Sequence, residues 1–182
     1  MITGKQEQRK TCIENRRSLS DKEREEFSIA ICRKLEDTPE YRNAKLVLSY
    51  AASFDEVDPS YLRAEDKVFC FPVSFKDGIM ECFVPAAVNG WEEGKFGILS
   101  PKIETSVKVD PKDIDLVIVP CVGFDDEKRR LGHGKGYYDR YLPKCINAAK
   151  IAVAFEAQKL NNVVVDEYDV EMTHVITEKQ VY

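Results

Sequence analysis

The chain has 182 residues, of which 43% are hydrophobic and 32% are charged. This balance is typical of a globular protein and excludes a disordered or collagen-like chain. A chain of this length usually forms one domain, and the sequence contains no internal repeat or linker. We therefore predict a single domain over residues 1–182.

The net charge of −5 argues against duplex nucleic acid as the main partner, because such partners select strongly basic surfaces. No apolar run approaches the roughly 18–20 residues of a membrane span, and the first residues contain no signal-peptide core. We expect a cytoplasmic protein without a nucleic-acid or membrane partner. The six cysteines are widely spaced, which predicts reduced, buried thiols rather than a zinc site or disulfides.

The first third of the chain has helical patterns. Thr3 and Gln6 fit a capping box, and the segment that follows, through Arg17, lacks glycine and proline. Ser20 and Glu23 form a second capping box. Phe27, Ala30, Ile31 and Leu35 after it form one apolar stripe that predicts a core-facing helix.

From residue 46 the pattern changes to short apolar strands, and the most continuous of them is Leu116–Pro120. Asp58-Pro59 predicts the start of another helix, residues 137–142 a later one, and residues 85–111 mostly loop. The alternation of helices and strands predicts a three-layer α/β fold with a mostly parallel central sheet and helices on both faces. The predicted strands are 46–50, 67–73, 78–84 (a hairpin with the preceding strand), 116–120, 150–155, 163–165 and 174–177.

A glycine-rich loop follows the buried strand at 116–120, at the edge where open α/β sheets bind ligands. Three glycines alternate with His133 and Lys135, and Arg130 precedes them. Glycines let backbone amides approach an anion, but neither the Walker pattern nor the dinucleotide pattern is complete here. The loop alone is thus compatible with a phosphate site and with a tight strand-to-helix connection. The glycines are Gly132, Gly134 and Gly136.

The segment 130–140, RLGHGKGYYDR, resembles the signature of the 5-formyltetrahydrofolate cyclo-ligase family. Lys5-x-x-x-Arg9 is similar to the basic opening helix of that family, and residues 48–58 are similar to its first strand and acidic substrate loop. Residues 120–125 and 166–169 also match, so the resemblance covers nearly the whole chain.

The resemblance implies an enzyme that uses ATP and Mg²⁺ to close 5-formyltetrahydrofolate to 5,10-methenyltetrahydrofolate, with release of ADP and phosphate. In the reaction that this resemblance implies, the formyl oxygen is phosphorylated to an imidate phosphate. The neighbouring amine nitrogen then closes the ring, and phosphate leaves. This chemistry depends on positioning and charge stabilisation. We expect a monomer, since no long apolar surface pattern indicates an obligate interface.

The resemblance also implies roles for individual residues. Lys135 and Arg130 are the candidate catalytic residues, Asp139 and Asp169 the candidate metal ligands, and Ala51, Glu56 and Tyr137 the candidate folate-binding residues. The candidate ATP-binding residues are Lys5, Gln6, Glu7, Gln8, Arg9, Arg130, Leu131, Gly132, His133, Gly134, Lys135, Gly136, Tyr137 and Tyr138.

Two alternatives remain open at this point. One is a non-catalytic module that binds folate or nucleotide with the same fold, and the other is an isomerase or acyl-CoA transferase related by fold alone. His133 occupies a position where many members of the family carry arginine. We expect His133→Arg to lower the half-saturation constant for ATP at alkaline pH, where histidine is neutral.

Overall fold

The computed structural model describes residues 4–64, 66–94 and 97–182. Two long helices open it, α1 (Lys5–Arg17) and α2 (Asp21–Glu36), followed by the short α3 (Pro39–Asn43). The predicted capping box of α2 is confirmed, because Ser20 and Glu23 each bond the other's backbone. Gly4 precedes α1, and Thr3 of the other predicted box lies outside the described residues.

The described residues contain one seven-stranded sheet. Its strands are β1 (Leu46–Leu48), β2 (Val68–Ser74), β3 (Met80–Val84), β6 (Val107–Val109), β7 (Leu116–Pro120), β10 (Ala149–Val153) and β11 (His174–Ile176). Their order across the sheet is β11-β10-β7-β1-β2-β3-β6. The first four neighbouring pairs are parallel, and the pairs β2–β3 and β3–β6 are antiparallel. The predicted mostly parallel sheet and the hairpin are confirmed.

Helices cover both faces of the sheet, as predicted. Ile31 and Leu35 of α2 pack on one face with Leu116 and Ile118 of β7. On the other face, Tyr141 of α4 (Tyr137–Tyr141) belongs to the cluster that contains the intervening β7 residues. All five residues of β7 are buried. Alternate side chains of β7 thus pack on opposite faces of the sheet, and because helices cover both faces the strand is continuously apolar.

Two local predictions need correction. The expected helix after Asp58 is a single 3-10 turn, Pro59–Tyr61, and the helix at 137–142 stays α-helical only to Tyr141. The described residues of 85–111 lie mostly outside strands, as predicted, but they include β6 and a two-stranded ribbon, β4 (Trp91–Glu93) with β5 (Leu99–Pro101).

The segment 163–165 is not a strand, so that prediction is wrong. The backbone amide of Val163 donates to Asp125 Oδ2 at 2.7 Å, and that of Val164 donates to Gln8 Oε1 at 3.0 Å. Side chains therefore satisfy the backbone groups that a neighbouring strand would otherwise pair.

The connections of the parallel strands change direction between β1 and β7. The chain passes from β1 to β2 on one side, and from β7 to β10 on the other. Ligands of open α/β sheets bind where this change occurs, beyond the carboxyl ends of the strands. The loops that follow β1 and β7 are therefore the candidate ligand-binding loops.

Candidate active site

The glycine-rich loop lies beyond β7, after a two-stranded ribbon formed by β8 (Gly123–Phe124) and β9 (Arg130–Leu131). Gly134 has φ +91° and Gly136 has φ +69°, values that other residues adopt at a cost. A Cβ atom on Gly134 would lie 3.0 Å from Arg9 Cζ. The loop and α1 thus approach each other more closely than side chains in the loop would allow.

Helix α1 brings two basic residues to this loop. Arg9 Nε donates a hydrogen bond to the carbonyl of Gly132 at 2.8 Å. Lys5 and Arg9, one helical turn apart, line a cavity of about 590 Å³ together with the three glycines of the loop. The spacing of the two residues in the sequence predicted this common face.

Lys5 contacts the segment 166–169 on the far side of the cavity. Its Nζ lies 2.7 Å from Asp166 Oδ2 and 2.6 Å from Asp169 Oδ2. Burial lowers the pKa of Lys5, but the bonds and charges of the two aspartates outweigh burial and raise it overall. Lys5 therefore stays charged at neutral pH. The sequence predicted Lys5 and Asp169 for different ligands, and the structure pairs them directly.

Arg130 lies beneath the loop and outside the cavity lining. Its side chain is 4% exposed, Nη1 donates to the carbonyl of Pro120 at 3.0 Å, and Nη2 donates to Asp139 Oδ1 at 2.8 Å. A Cβ on Gly132 would come within 2.9 Å of its Nη1. Arg130 thus contacts Asp139 rather than the cavity itself, whereas Asp139 does line the cavity.

Three basic and four acidic residues line the same cavity. The carboxylates among them are suitable ligands for Mg²⁺, which takes one or two carboxylates together with phosphate oxygens and waters. Among the described residues, no group of three or more His, Cys, Asp and Glu side chains is placed to hold a metal by itself. The basic residues are Lys5, Arg9 and Arg140, and the acidic ones are Asp139, Asp166, Glu167 and Asp169.

The loop after β1 meets the glycine loop at Glu56. Glu56 Oε1 lies 2.8 Å from His133 Nε2, and the backbone amide of Ser53 donates to Glu56 Oε2 at 2.9 Å. Burial raises the pKa of Glu56, but these hydrogen bonds outweigh burial and leave it below its ordinary value. Glu56 is therefore a partly buried, ionised acceptor, and it also lines a second cavity of about 410 Å³.

Two residues beside Glu56 carry unused polar atoms. Within the described part of the chain, Nε and Nη1 of Arg16 and the hydroxyl of Tyr138 are buried and have no hydrogen-bond partner. Buried polar groups without partners are rare in native proteins and indicate places where a ligand or water bonds. Sequence reasoning assigned no role to Arg16, because an arginine in a helix carries no signal of burial.

The remaining predicted residues fall into three groups. Gln6, Glu7 and Lys135 are exposed, and Leu131 lies in the cavity wall. Gln8 is buried and bonds the backbone of residues 162 and 164 with both ends of its amide. Ala51, Tyr137 and Tyr138 are partly buried. The hydroxyl of Tyr137 donates to the carbonyl of Phe75 at 3.1 Å.

In the part of the chain that the structure describes, no helix is long and apolar enough to cross a membrane.

The layers and the cavity together define an α/β protein whose candidate active site combines a glycine loop, the helical cations Lys5 and Arg9, and the carboxylates of Asp139 and of the segment 166–169. A sequence model of the 5-formyltetrahydrofolate cyclo-ligase family matches residues 1–178. The chain belongs to this family of ligases, as the resemblance of its motifs predicted.

Individual relatives agree with this assignment. The chain is 29% identical to a probable 5-formyltetrahydrofolate cyclo-ligase of Schizosaccharomyces pombe over 182 residues, which cover 85% of each chain. It is 27% identical to the mouse cyclo-ligase over 187 residues, 89% of this chain and 87% of that one. The solved structure of Aquifex aeolicus 5,10-methenyltetrahydrofolate synthetase superimposes with a TM-score of 0.83 at 32% identity, covering 97% of this chain and 91% of that one.

Proposed function

We propose that the chain uses ATP and Mg²⁺ to convert 5-formyltetrahydrofolate into 5,10-methenyltetrahydrofolate, ADP and phosphate. The formyl oxygen attacks the γ-phosphorus of ATP while the bond to the ADP oxygen breaks. The neighbouring amine nitrogen then attacks the activated carbon and closes the ring, phosphate is expelled, and the proton of the amine is lost to the phosphate. Phosphorylation supplies the driving force, because an amide oxygen is otherwise a poor leaving group.

The contact between Glu56 and His133 is the observation that carries this proposal. His133 belongs to the glycine loop and Glu56 to the loop after β1, and their side chains are 2.8 Å apart. A nucleotide on the first loop and a folate on the second would therefore be neighbours. Phosphoryl transfer requires this proximity, since its catalysis is mainly positioning.

The nucleotide end of the site uses the glycine loop with Lys5 and Arg9. Backbone amides at Gly134 and Gly136 can approach phosphate oxygens because no Cβ obstructs them. Lys5 exchanges its bonds to the two aspartates for bonds to phosphate. Lys135 is the candidate for contact with the transferred phosphoryl group.

Asp139 and Asp169 are the residues that would hold Mg²⁺. Bound there, the ion neutralises phosphate charge, which matters in a cavity that already contains four carboxylates. Arg130 keeps the Asp139 carboxylate oriented toward the cavity through its 2.8 Å bond. Asp169 becomes available as Lys5 moves to phosphate.

The folate end of the site uses Glu56, together with Ala51 and Tyr137. An ionised carboxylate can accept two parallel hydrogen bonds from the amino group and ring nitrogen of a pterin. The hydrogen bonds that lower the pKa of Glu56 keep its carboxyl ionised, as this recognition requires.

We also propose that the protein is cytoplasmic and monomeric.

A spectrophotometric assay for methenyltetrahydrofolate, with and without ATP and Mg²⁺, tests the proposal. We expect product only when 5-formyltetrahydrofolate, ATP and Mg²⁺ are all present. Folded protein that binds either ligand without forming product would favour the non-catalytic binding module. Protein that binds neither ligand would overturn both functions.

Lys5→Met tests the nucleotide end, and Lys10→Met is its matched control on the exposed side of α1. Loss of a charged hydrogen bond to phosphate raises the KM for ATP by about 10- to 100-fold. We expect the KM for folate to change little in Lys5→Met, and both constants to be unchanged in Lys10→Met. Equal KM values for ATP in the two variants would contradict the assignment of Lys5.

A further inference from the structure

The guanidinium of Arg140 connects the glycine loop with the turn between β2 and β3. Its Nε donates to the carbonyl of Gly78 at 3.1 Å, and its Nη2 donates to the carbonyl of Lys135 at 2.7 Å. These two carbonyls belong to segments separated by more than fifty residues of chain. Arg140 thus links the glycine loop to the β2–β3 turn.

Two glycines shape the space that the guanidinium occupies. A Cβ on Gly78 would lie 2.0 Å from Arg140 Nη2, and a Cβ on Gly136 would lie 2.8 Å from Arg140 Nη1. Both distances are shorter than contacts that real Cβ atoms make. Arg140 is exposed, so a Cβ at either glycine would displace its guanidinium from the present position.

Tyr137 strengthens the same connection. Its hydroxyl donates to the carbonyl of Phe75, at the other end of the β2–β3 turn, at 3.1 Å. The Arg140 Cζ lies 5.9 Å from the centre of the Tyr137 ring, within the range of a cation–π contact. Two side-chain hydrogen bonds, from Tyr137 and Arg140, thus join α4 to the β2–β3 turn, and a further bond from Arg140 holds Lys135.

We propose that Arg140 is a positioning residue that braces the glycine loop against the β2–β3 turn in the conformation that receives the triphosphate of ATP. The inference rests on the proposed function for its ligand. A loop that binds phosphate through several backbone amides loses affinity when its own ordering must accompany binding. The brace fixes the loop beforehand, so its loss weakens ATP binding. The folate end is affected less, because the backbone amide of Ser53 also holds Glu56 within its own loop.

Arg140→Gln removes the charge and at least one of the two hydrogen bonds. We expect the KM for ATP to rise by about tenfold or more, with the KM for 5-formyltetrahydrofolate within about twofold of wild type. Arg140→Lys keeps the charge and one donor, and we expect an intermediate KM for ATP. A general structural defect would instead change both KM values or lower the melting temperature.

Gly78→Ala disrupts the brace without a substitution at Arg140, because the added Cβ would occupy the space of the guanidinium. Gly97→Ala is its matched control, because both glycines have φ +73° and therefore suffer similar backbone strain. A Cβ on Gly97 meets only Glu93 Oε1, at 3.9 Å. We expect Gly78→Ala to raise the KM for ATP as Arg140→Gln does, and Gly97→Ala to leave it unchanged.

Limited trypsin digestion of the protein without ligands tests the brace independently of any activity. Lys135 is exposed, and cleavage after it requires the glycine loop to open locally. We expect Arg140→Gln and Gly78→Ala to accelerate this cut by about fivefold or more, relative to other exposed lysines, and Gly97→Ala to leave it unchanged.

Two results would overturn the brace: an unchanged KM for ATP in Arg140→Gln, or an unchanged rate of cleavage after Lys135. Either would leave the proposed function intact if the wild-type protein turns over. A wild-type protein that binds no ATP would overturn the proposed function and the role of the brace in nucleotide binding. Faster cleavage in both variants would then support the mechanical connection alone.

Discussion

Glu56 is the residue at which the two candidate binding loops meet. Its carboxylate accepts one hydrogen bond from the backbone of its own loop and contacts His133, 77 positions along the chain. The sequence comparison suggested that His133 contacts ATP, whereas in the structure its imidazole reaches the candidate folate residue. The lower half-saturation constant for ATP that we expect in His133→Arg stays a prediction. Because of the contact with Glu56, the KM for 5-formyltetrahydrofolate should be measured in the same variant.

Glu56→Gln tests the folate end at the scale of one side chain. The amide has the same shape but replaces one acceptor oxygen by a donor and removes the charge, so paired bonds from a pterin are lost. We expect the KM for 5-formyltetrahydrofolate to rise by about 10- to 100-fold, and the KM for ATP to change little.

Glu104→Gln is the control for this substitution, because Glu104 is exposed and lines neither cavity. Steady-state kinetics with each substrate varied in turn gives both constants. A Glu56→Gln variant that kept the wild-type KM for folate would remove Glu56 from the folate site.

Helix α1 is the element that connects the parts of the site. Lys5 and Arg9 line the nucleotide cavity, while Arg16, near the other end of the helix, donates to Asp55 at 3.0 Å in the loop that carries Glu56. Gln8 fixes the helix to the segment 162–164. The position of one helix thus affects both binding loops.

Gln8→Ala tests how the docking of α1 supports the site. Gln8 is 4% exposed, and its loss leaves the carbonyl of Asn162 and the amide of Val164 without their partner. Asn162 is exposed and Val164 is partly buried, so water replaces part of these bonds, and we expect the free energy of unfolding to fall by about 1 kcal/mol. Urea denaturation measures this loss.

Lys10→Ala on the exposed face of α1 is the control and should change the free energy of unfolding by less than about 0.5 kcal/mol. We also expect Gln8→Ala to raise the KM for ATP, since a loosened α1 displaces Lys5 and Arg9. A stable Gln8→Ala variant with wild-type kinetics would show that the contact with residues 162–164 is dispensable.

At the scale of the whole molecule, a buried ion pair makes stability depend on pH. Asp55 is 1% exposed and accepts bonds from Arg16 and Arg17. Burial raises the pKa of Asp55, but the two arginines and Ser53 outweigh burial and lower it below 3.8. This stabilisation is present above the ordinary pKa and is lost as pH falls through the lower, folded value.

We therefore expect the wild-type protein to lose stability below about pH 4, and Asp55→Asn to lose about 3 kcal/mol already at pH 7, because Arg16 is left buried without a counter-charge. Urea denaturation at pH 7 and at pH 3.5 measures both effects. The exposed Asp37 supplies the control variant Asp37→Asn. An Asp55→Asn protein with the wild-type pH dependence would contradict this account.

The six cysteines give a second prediction for the whole molecule. All are buried and unpaired, as the sequence predicted. Burial raises the pKa of Cys12 and Cys145 to about 11, and that of Cys32, Cys82 and Cys121 to about 12. Thiols of this kind react slowly because the thiolate is the nucleophile.

Titration with an aromatic disulfide reagent measures their accessibility. We expect little reaction with the native protein and six thiols per chain after denaturation. Addition of urea below the unfolding midpoint is the control for local opening. Rapid reaction of one thiol in the native state would identify a segment that opens without global unfolding.

The sequence by itself determined the features that depend on local patterns. The capping box of α2, the apolar β7 and the glycines after it are encoded within a few residues of each other, and the periodicity of burial follows from strand and helix geometry. The family signature, whose residues are contiguous, identified the ligase. The common face of Lys5 and Arg9 followed from helical spacing alone.

Only the tertiary structure decided which of these residues meet. In the structure, Lys5 pairs with Asp169 and Arg130 pairs with Asp139. The backbone amides of Val163 and Val164 donate to side-chain oxygens, although a strand was predicted there. These contacts join positions far apart in the chain. Their energies depend on distance and burial, which composition and spacing do not contain, so a local pattern carries no record of them.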